Sequence, residues 1–218
     1  MKKIFETIKN NPLFDEIGVS DFEKMVACLS ARVKGYKKDE VILLSGDAVT
    51  FVGIILSGSV KIIKEDMDGR ITILTELGVS ELFAEVFACA GIDRSPVTVR
   101  ATENSEILFI DYRRIITSCA SSCLFHTKLV ENMLKLIAAK NLMLNSKIEI
   151  LSKRTTREKL LLFFDMQRGA ATKFTIPYNR EELANYLCVD RSAMSIELGK
   201  MKKEGLINYN KNQFELLK

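Results

Sequence analysis

Hydrophobic and polar residues follow three different rhythms along this chain. From Val33 to Asp111 the apolar residues fall in short β-branched runs ("EVILL", "FVGIILSGSVKIIKE", "RITILTEL", "VTVRA", "EILFID") separated by "SGD", "LSG", "DMDGR" and "TENS". Regularly spaced runs with glycine-bearing turns predict an antiparallel β-sandwich or barrel. Asp68-Gly69 lies between two such runs and predicts a hairpin. Residues 1 to about 30 predict one or two short helices, broken at Asn11-Pro12, with Ser20 as the N-cap of "DFEKMVACLS".

A longer rhythm begins near Ser118. Val130, Leu134, Ile137, Asn141, Leu144, Ile148 and Leu151 follow one another at alternating steps of four and three. This is a heptad seam, and it predicts a long helix facing a twin, with the polar Asn141 setting register at some cost in stability. The plainer alternative is an amphipathic helix lying on its own domain. Leu129, Met133, Leu136 and Leu142 beside the seam predict that one flank does pack on the β-domain. Beyond basic "SKRTTR", "REKLLLFFDMQ" predicts another amphipathic helix and "RGAATKFTIPYN" a loop. "LANYLCVDRSAMSIELGKMKKEGLI" then reads as two short helices joined by a tight turn, and "GLINYNKNQFELL" as two short strands around Asn210-Lys211-Asn212. Helix, helix-turn-helix and hairpin together make a winged helix. The expected domains are residues 1–117, 118–152 and 153–218.

Composition narrows the class. With 218 residues, 47% of them hydrophobic and 28% charged, the chain is globular. No apolar run is long enough to span a membrane, and the N-terminus "MKKIFETIKNNPLFDEI" lacks the core of a secretory signal. Five scattered cysteines argue against a disulfide scaffold and for a reducing cytoplasm. The net charge of +4 is unevenly divided. From Ser152 onward, 13 Lys and Arg face 8 Asp and Glu (+5), whereas the preceding residues hold 19 and 20 (−1). The basic excess sits where the helix-turn-helix is, as expected if that end meets a polyanion.

The order of these segments, with "GIILSGSVKIIKEDMDGR", "ELFAEV", "RSPVTVRATENSEILFID", "LSKRTTREKLL" and "REELANYLCVDRSAM…MKKEGLI", resembles the cyclic-AMP receptor protein and fumarate/nitrate reduction regulator (Crp/Fnr) family over essentially the whole chain. The resemblance implies an α+β fold: an N-terminal antiparallel β-roll of the cyclic-nucleotide-binding type (a double-stranded β-helix), a long dimerisation helix, and a C-terminal winged helix-turn-helix. It implies a homodimeric transcription factor of bacteria or archaea, not an enzyme, whose partners are inverted-repeat double-stranded DNA, a second copy of itself through Val130, Leu134, Ile137, Asn141, Leu144, Ile148 and Leu151, and RNA polymerase. The alternative is a cyclic-nucleotide-binding regulatory subunit whose C-terminal module contacts a protein. The charge split and the helix-turn-helix favour DNA.

In cyclic-nucleotide-binding members an arginine fork and backbone amides hold the phosphate and a glutamate accepts from the ribose. Here Glu85 keeps the glutamate position and Arg94-Ser95 resemble the Arg-Ser pair. Ala84 replaces the usual glycine, Ser80-Glu81 the usual Gly-Asp, and Pro96 removes a backbone donor. Leu144 and Asn145 stand where nucleotide-sensing relatives place two hydroxyl residues. Glu85, Arg94, Ser95, Asn141 and Asn145 are thus the candidate effector residues, for an unidentified small molecule rather than cyclic AMP. No cofactor is assigned. Only Cys28 precedes Cys89, which argues against an iron–sulfur cluster. Cys119 and Cys123 with His126 form the one metal-like group, but read better as small cysteines packing a helix start beside a surface histidine, so no metal is expected.

In the second helix of the motif Met194, Leu198 and Met201 form the buried stripe, continued by Leu206 and Ile207, and Ala184 is small where the two helices cross. Ser192, Ser195, Ile196, Gly199 and Lys203 lie opposite. Two family residues are missing: Arg-Glu at the helix start is Arg191-Ser192, and an arginine one turn later is Ile196. Arg191 can pair with guanine or a phosphate, while Arg180, Lys200, Lys202 and Lys203 are expected on phosphates. Cys188 occupies a turn position where glycine is common, which suggests a slightly altered turn.

Overall fold

The computed structural model describes residues 2–66, 68, 70–117 and 124–217. It divides into two compact units, Met1–Ala138 and Ala139–Lys218. The first opens with helices α1 (Lys2–Ile8) and α2 (Val19–Cys28), between which Asn11 caps a short 3-10 turn by accepting from the Leu13 N–H. Ser20 is not the cap of α2. The Phe22 N–H already donates to the Gly18 carbonyl, so the helix starts ahead of Ser20.

Two four-stranded antiparallel sheets follow. One has the order β1 (Arg32–Tyr36), β8 (Ser105–Asp111), β3 (Phe51–Ser57), β6 (Leu82–Phe83). The other has the order β2 (Val41–Leu43), β7 (Thr98–Ala101), β4 (Val60–Glu65), β5 (Ile71–Leu77). β4 and β5 pair as the hairpin that the sequence predicts, Glu65 opposite Ile71, although Gly69 itself lies outside the described residues.

Period-two alternation explains the strongly apolar β8. Ile107 and Phe109 enter the core between the sheets with Tyr36, Ile55, Val60 and Phe83. Leu108 and Ile110 face the other way, into a second core with Phe14, Phe22 and Met25 of the N-terminal segment. Two glycines are fixed by close approach: a Cβ on Gly53 would collide with the Phe83 ring, and one on Gly58 (φ +78°) with the Asn104 carbonyl and Ser105. After β6 come the short helices α3 (Glu85–Cys89) and, following β8, α4 (Tyr112–Ile116).

Helix α5 (Leu124–Ser152) is the long helix of the sequence reading, and the division between units falls within it. In the first unit Leu129, Met133 and Leu136 are buried in the helix-facing core as expected. The buried Asn132 amide donates to the Leu13 and Asp15 carbonyls at 3.1 and 2.8 Å. Leu142 departs from expectation: it is exposed, on the part of α5 that belongs to the other unit.

The second unit is a winged helix. Helix α6 (Thr156–Arg168) starts with a Thr155/Glu158 capping box, and α7 (Arg180–Leu187) with an Asn179/Glu182 box. Helix α8 (Arg191–Lys203) is capped by Asp190. "RGAATKFTIPYN" is not all loop: β9 (Lys173–Thr175) pairs with β11 (Gln213–Leu216), placing Phe174 opposite Phe214, and β10 (Ile207–Asn210) completes the sheet. β9 offers the periodicity only one apolar residue; its pairing comes from the partner strand. Leu160, Phe163, Phe164, Leu183, Leu187 and Phe214 fill the core.

Candidate nucleic-acid interface

The α7–α8 turn owes its shape to one backbone position. Cys188 adopts the left-handed conformation (φ 51°, ψ 55°) and its N–H caps α7 on the Ala184 and Asn185 carbonyls. The turn is therefore the glycine-type turn, made here by a residue that is strained in it. Its thiol is exposed and leans on the Asn185 carbonyl at 3.7 Å. The neighbouring Ala184 is buried at the helix crossing.

Met194, Leu198 and Met201 are fully buried, and Ile207 with them. This anchors one face of α8 and turns Arg191, Ser192, Ser195, Ile196, Lys200 and Lys203 to the surface. Ile196 is 61% exposed, so packing within its own unit does not account for it. The Ser195 hydroxyl donates back to the Arg191 carbonyl at 2.9 Å, which fixes the oxygen lone pairs rather than the proton outward. Lys200, Lys202 and Lys203 crowd the last turn, where a helix favours cations.

Arg180 and Lys202 have a different setting from the other expected phosphate residues. The Arg180 guanidinium lies over the Tyr209 and Phe214 rings at 4.7 and 5.0 Å, and its burial pulls its pKa below the usual arginine value. Lys202 sits over Tyr209 at 4.9 Å and donates to the Tyr209 carbonyl at 3.3 Å. Both side chains brace β10 of the wing against the helices.

One ion-pair cluster joins residues that are distant in the sequence. Arg157, in the first turn of α6, forks onto Glu204 with 2.7 and 2.8 Å contacts and reaches Glu197 at 2.5 Å. The hydrogen bonds that Arg157 donates to Glu204 and Glu197 raise its pKa, and Arg157 in turn lowers that of Glu204. The available signal was the seven-residue spacing of two acids on a basic helix, which puts them on one flank. Arg157, Ile196 and Lys200 line one open groove between the start of α6 and α8.

The candidate effector residues fall in two separate settings. Ala84 has φ +66°, the left-handed value that the missing glycine would adopt without strain. Glu85 is buried at the start of α3. The Arg94 guanidinium donates to the Gly46 carbonyl at 2.9 Å. Ser95 is buried, and its hydroxyl is held by the Val97 carbonyl at 2.7 Å. Glu81 accepts from the Gly78 N–H at 2.7 Å, closing the turn before β6. The asparagines belong to the second unit, where the Asn145 amide donates to the Asn141 side-chain oxygen at 3.0 Å on an exposed face.

His126 is not a surface histidine. It is 4% exposed, 3.9 Å from the Cys28 sulfur and against the Phe125 ring. It lies on the part of α5 where Phe125 and Leu129 are buried in the first unit's core. Cys119 and Cys123 lie outside the described residues, among which no group of three His, Cys, Asp or Glu side chains is placed to hold a metal.

The dimer candidates are surface-facing where they leave the core. Leu134, Leu144 and Ile148 are 64, 54 and 63% exposed, Val130, Ile137 and Leu151 are half-buried, and Asn141 is exposed. Among the described residues no helix is long and apolar enough to cross a membrane.

Comparisons with known proteins agree with this architecture. Residues 33–122 match the cyclic nucleotide-binding domain and residues 158–218 the Crp-like helix-turn-helix domain. The transcriptional activator protein FnrL of Cereibacter sphaeroides is 27% identical over 188 residues, covering 80% of this chain and 71% of that protein. Among solved structures, the c-di-GMP-responsive global regulator CLP of Xanthomonas campestris shares the fold with a TM-score of 0.57 and 19% identity, over 92% of this chain and 100% of the other. The sensor domain of the regulator DNR from Pseudomonas aeruginosa gives 0.53 and 17%, over 69% and 95%. A β-roll followed by a long helix and a winged helix, matched by both domain models in that order, places this chain in the Crp/Fnr family of DNA-binding transcriptional regulators.

Proposed function

We propose that the chain works as a homodimer that reads an inverted-repeat DNA site through two copies of α8, under control of a signal received by the β-roll. The observation that carries this reading is the division of α8 into a fully buried stripe and an exposed face of Arg191, Ser192, Ser195, Ile196 and Lys203. A groove-facing helix needs small polar and cationic side chains on rigid backing, and α8 has both. The exposed seam of α5 supplies the pairing surface: Leu134, Leu144 and Ile148 share one face, and only a second apolar face would remove them from water. Arg191 and Ile196 face base edges, while Lys200 and Lys203 neutralise phosphates, with Arg180 and Lys202 holding the wing close to the backbone. RNA polymerase is the partner on which such a regulator acts.

The effector reading follows the departures from the phosphate cassette. Arg94 is already engaged by the Gly46 carbonyl and Ser95 by Val97, so the two groups that would meet a cyclic phosphate have protein partners. A ligand other than cyclic AMP suits these residues better.

Duplex binding measured across salt concentration tests the DNA reading. Affinity for DNA should fall steeply and log-linearly as salt rises, by roughly 0.9 in log–log slope per phosphate neutralised. A flat response, or tighter binding to a protein partner than to any duplex, would refute it.

A further inference from the structure

Helix α8 carries two carboxylates on the flank beside its reading face. From Asp190 to Glu204 it holds Arg191, Lys200, Lys202 and Lys203 against Asp190, Glu197 and Glu204, a net of only +1. An unpaired glutamate within a Debye length, roughly 8 Å at physiological salt, of a phosphate chain opposes binding. Both Glu197 and Glu204 are claimed by one residue from another element. Arg157 meets Glu204 with two parallel contacts of 2.7 and 2.8 Å and Glu197 with a third of 2.5 Å.

The shape of the contact matters as much as its charge. A guanidinium presents its donors in a fixed planar fork, which suits a carboxylate bidentately and leaves Nε for a second acceptor. Arg157 uses the fork on Glu204 and Nε on Glu197, so one side chain spans two turns of α8 and ties them to the capped start of α6. The Glu197 side chain is 17% exposed and its other oxygen lies 3.9 Å from Lys200, so it has little water to fall back on.

We propose that Arg157 is a positioning and charge-masking residue for DNA recognition: it offsets one of the two negative charges of Glu197 and Glu204, raising the local net charge from +1 to +2, and holds α8 toward the duplex in a fixed orientation. This rests on the DNA reading above and deepens it. Arg157 spends its donors on protein carboxylates, and is not itself a phosphate ligand.

Three variants and a salt series test this. Arg157→Ala should weaken duplex binding by roughly tenfold at physiological ionic strength while leaving the slope of log affinity against log salt unchanged, because the number of phosphates neutralised is the same. Adding Glu197→Gln and Glu204→Gln to Arg157→Ala should restore most of the loss. The two Gln substitutions alone, which keep the side-chain shapes, should bind DNA several-fold tighter than the unmodified chain, since they remove two negative charges and keep the arginine. That last variant carries the test if Arg157→Ala does not fold. A loss accompanied by a slope smaller by about one, with no rescue, would make Arg157 a phosphate contact and overturn the masking role. Unchanged affinity in Arg157→Ala, or no gain from the Gln pair, would overturn it too. Failure of the unmodified chain to bind any duplex would instead refute the DNA reading on which the inference stands.

Discussion

Replacing Leu134 and Leu144 by glutamate should separate the protein into folded monomers. In one protomer these side chains are 64 and 54% exposed, so neither supports the fold of its own unit. Full burial of a leucine is worth about 1.5–3 kcal/mol, and the exposed part of each of these about 1–2 kcal/mol. In a two-fold dimer each change counts twice, giving four lost burials and about 4–8 kcal/mol of association free energy. At about 1.4 kcal/mol per tenfold, that is a dimer weaker by roughly three to six orders of magnitude. The monomer should hardly notice: glutamate matches leucine closely in helix propensity, and exposed substitutions usually change stability by less than about 0.5 kcal/mol. Sedimentation equilibrium over a wide concentration range reads the association, and urea unfolding checks the fold. A double variant that stays dimeric with an affinity within tenfold of the unmodified protein would refute the seam as the interface.

Three further outcomes are expected. Cys188→Gly should stabilise the second unit by about 0.5–1 kcal/mol in urea unfolding, since relief of roughly 1–2 kcal/mol of left-handed strain exceeds the added chain entropy of glycine; a loss of stability would show that the turn is not strained. Calorimetry should detect no micromolar cyclic AMP binding, and a clear heat abolished by Arg94→Ala would contradict the reading of the cassette. Uracil in place of thymine at the half-site base facing Ile196 should cost about 1 kcal/mol, the methyl contact alone, and the cost should vanish in Ile196→Ala; equal binding of uracil and thymine at every position would leave Ile196 without a role.

What the chain discloses in one dimension depends on whether a feature is periodic. The strands from Val41 to Asp111, the long helix α5 and the buried stripe of α8 follow from patterns that repeat along the chain, and all are legible. β9 was not, because a three-residue strand with one apolar side chain owes its existence to β11. Ser20 looked like a cap because its residue type suits one, but capping depends on where the first carbonyl accepts. His126 misled for a related reason: a lone histidine near cysteines carries no sign of which flank of the helix is buried, and the flank came from Leu129 and Met133. Arg157, Glu197 and Glu204 lie 40 and 47 residues apart along the chain, and no local pattern joins an arginine to acids on another helix. The cassette was half legible. The loss of the glycine at Ala84 is written in the sequence, whereas its left-handed backbone and the engagement of Arg94 by Gly46 are not.

The proposed recognition requires α8 to be presented twice, with two-fold symmetry, to a DNA groove. Selection of binding sites from random duplexes by the whole 218-residue chain tests this most directly. An inverted repeat with half-site centres about one helical turn apart is the predicted result. Enrichment of a single asymmetric half-site, or of no sequence at all, would contradict it.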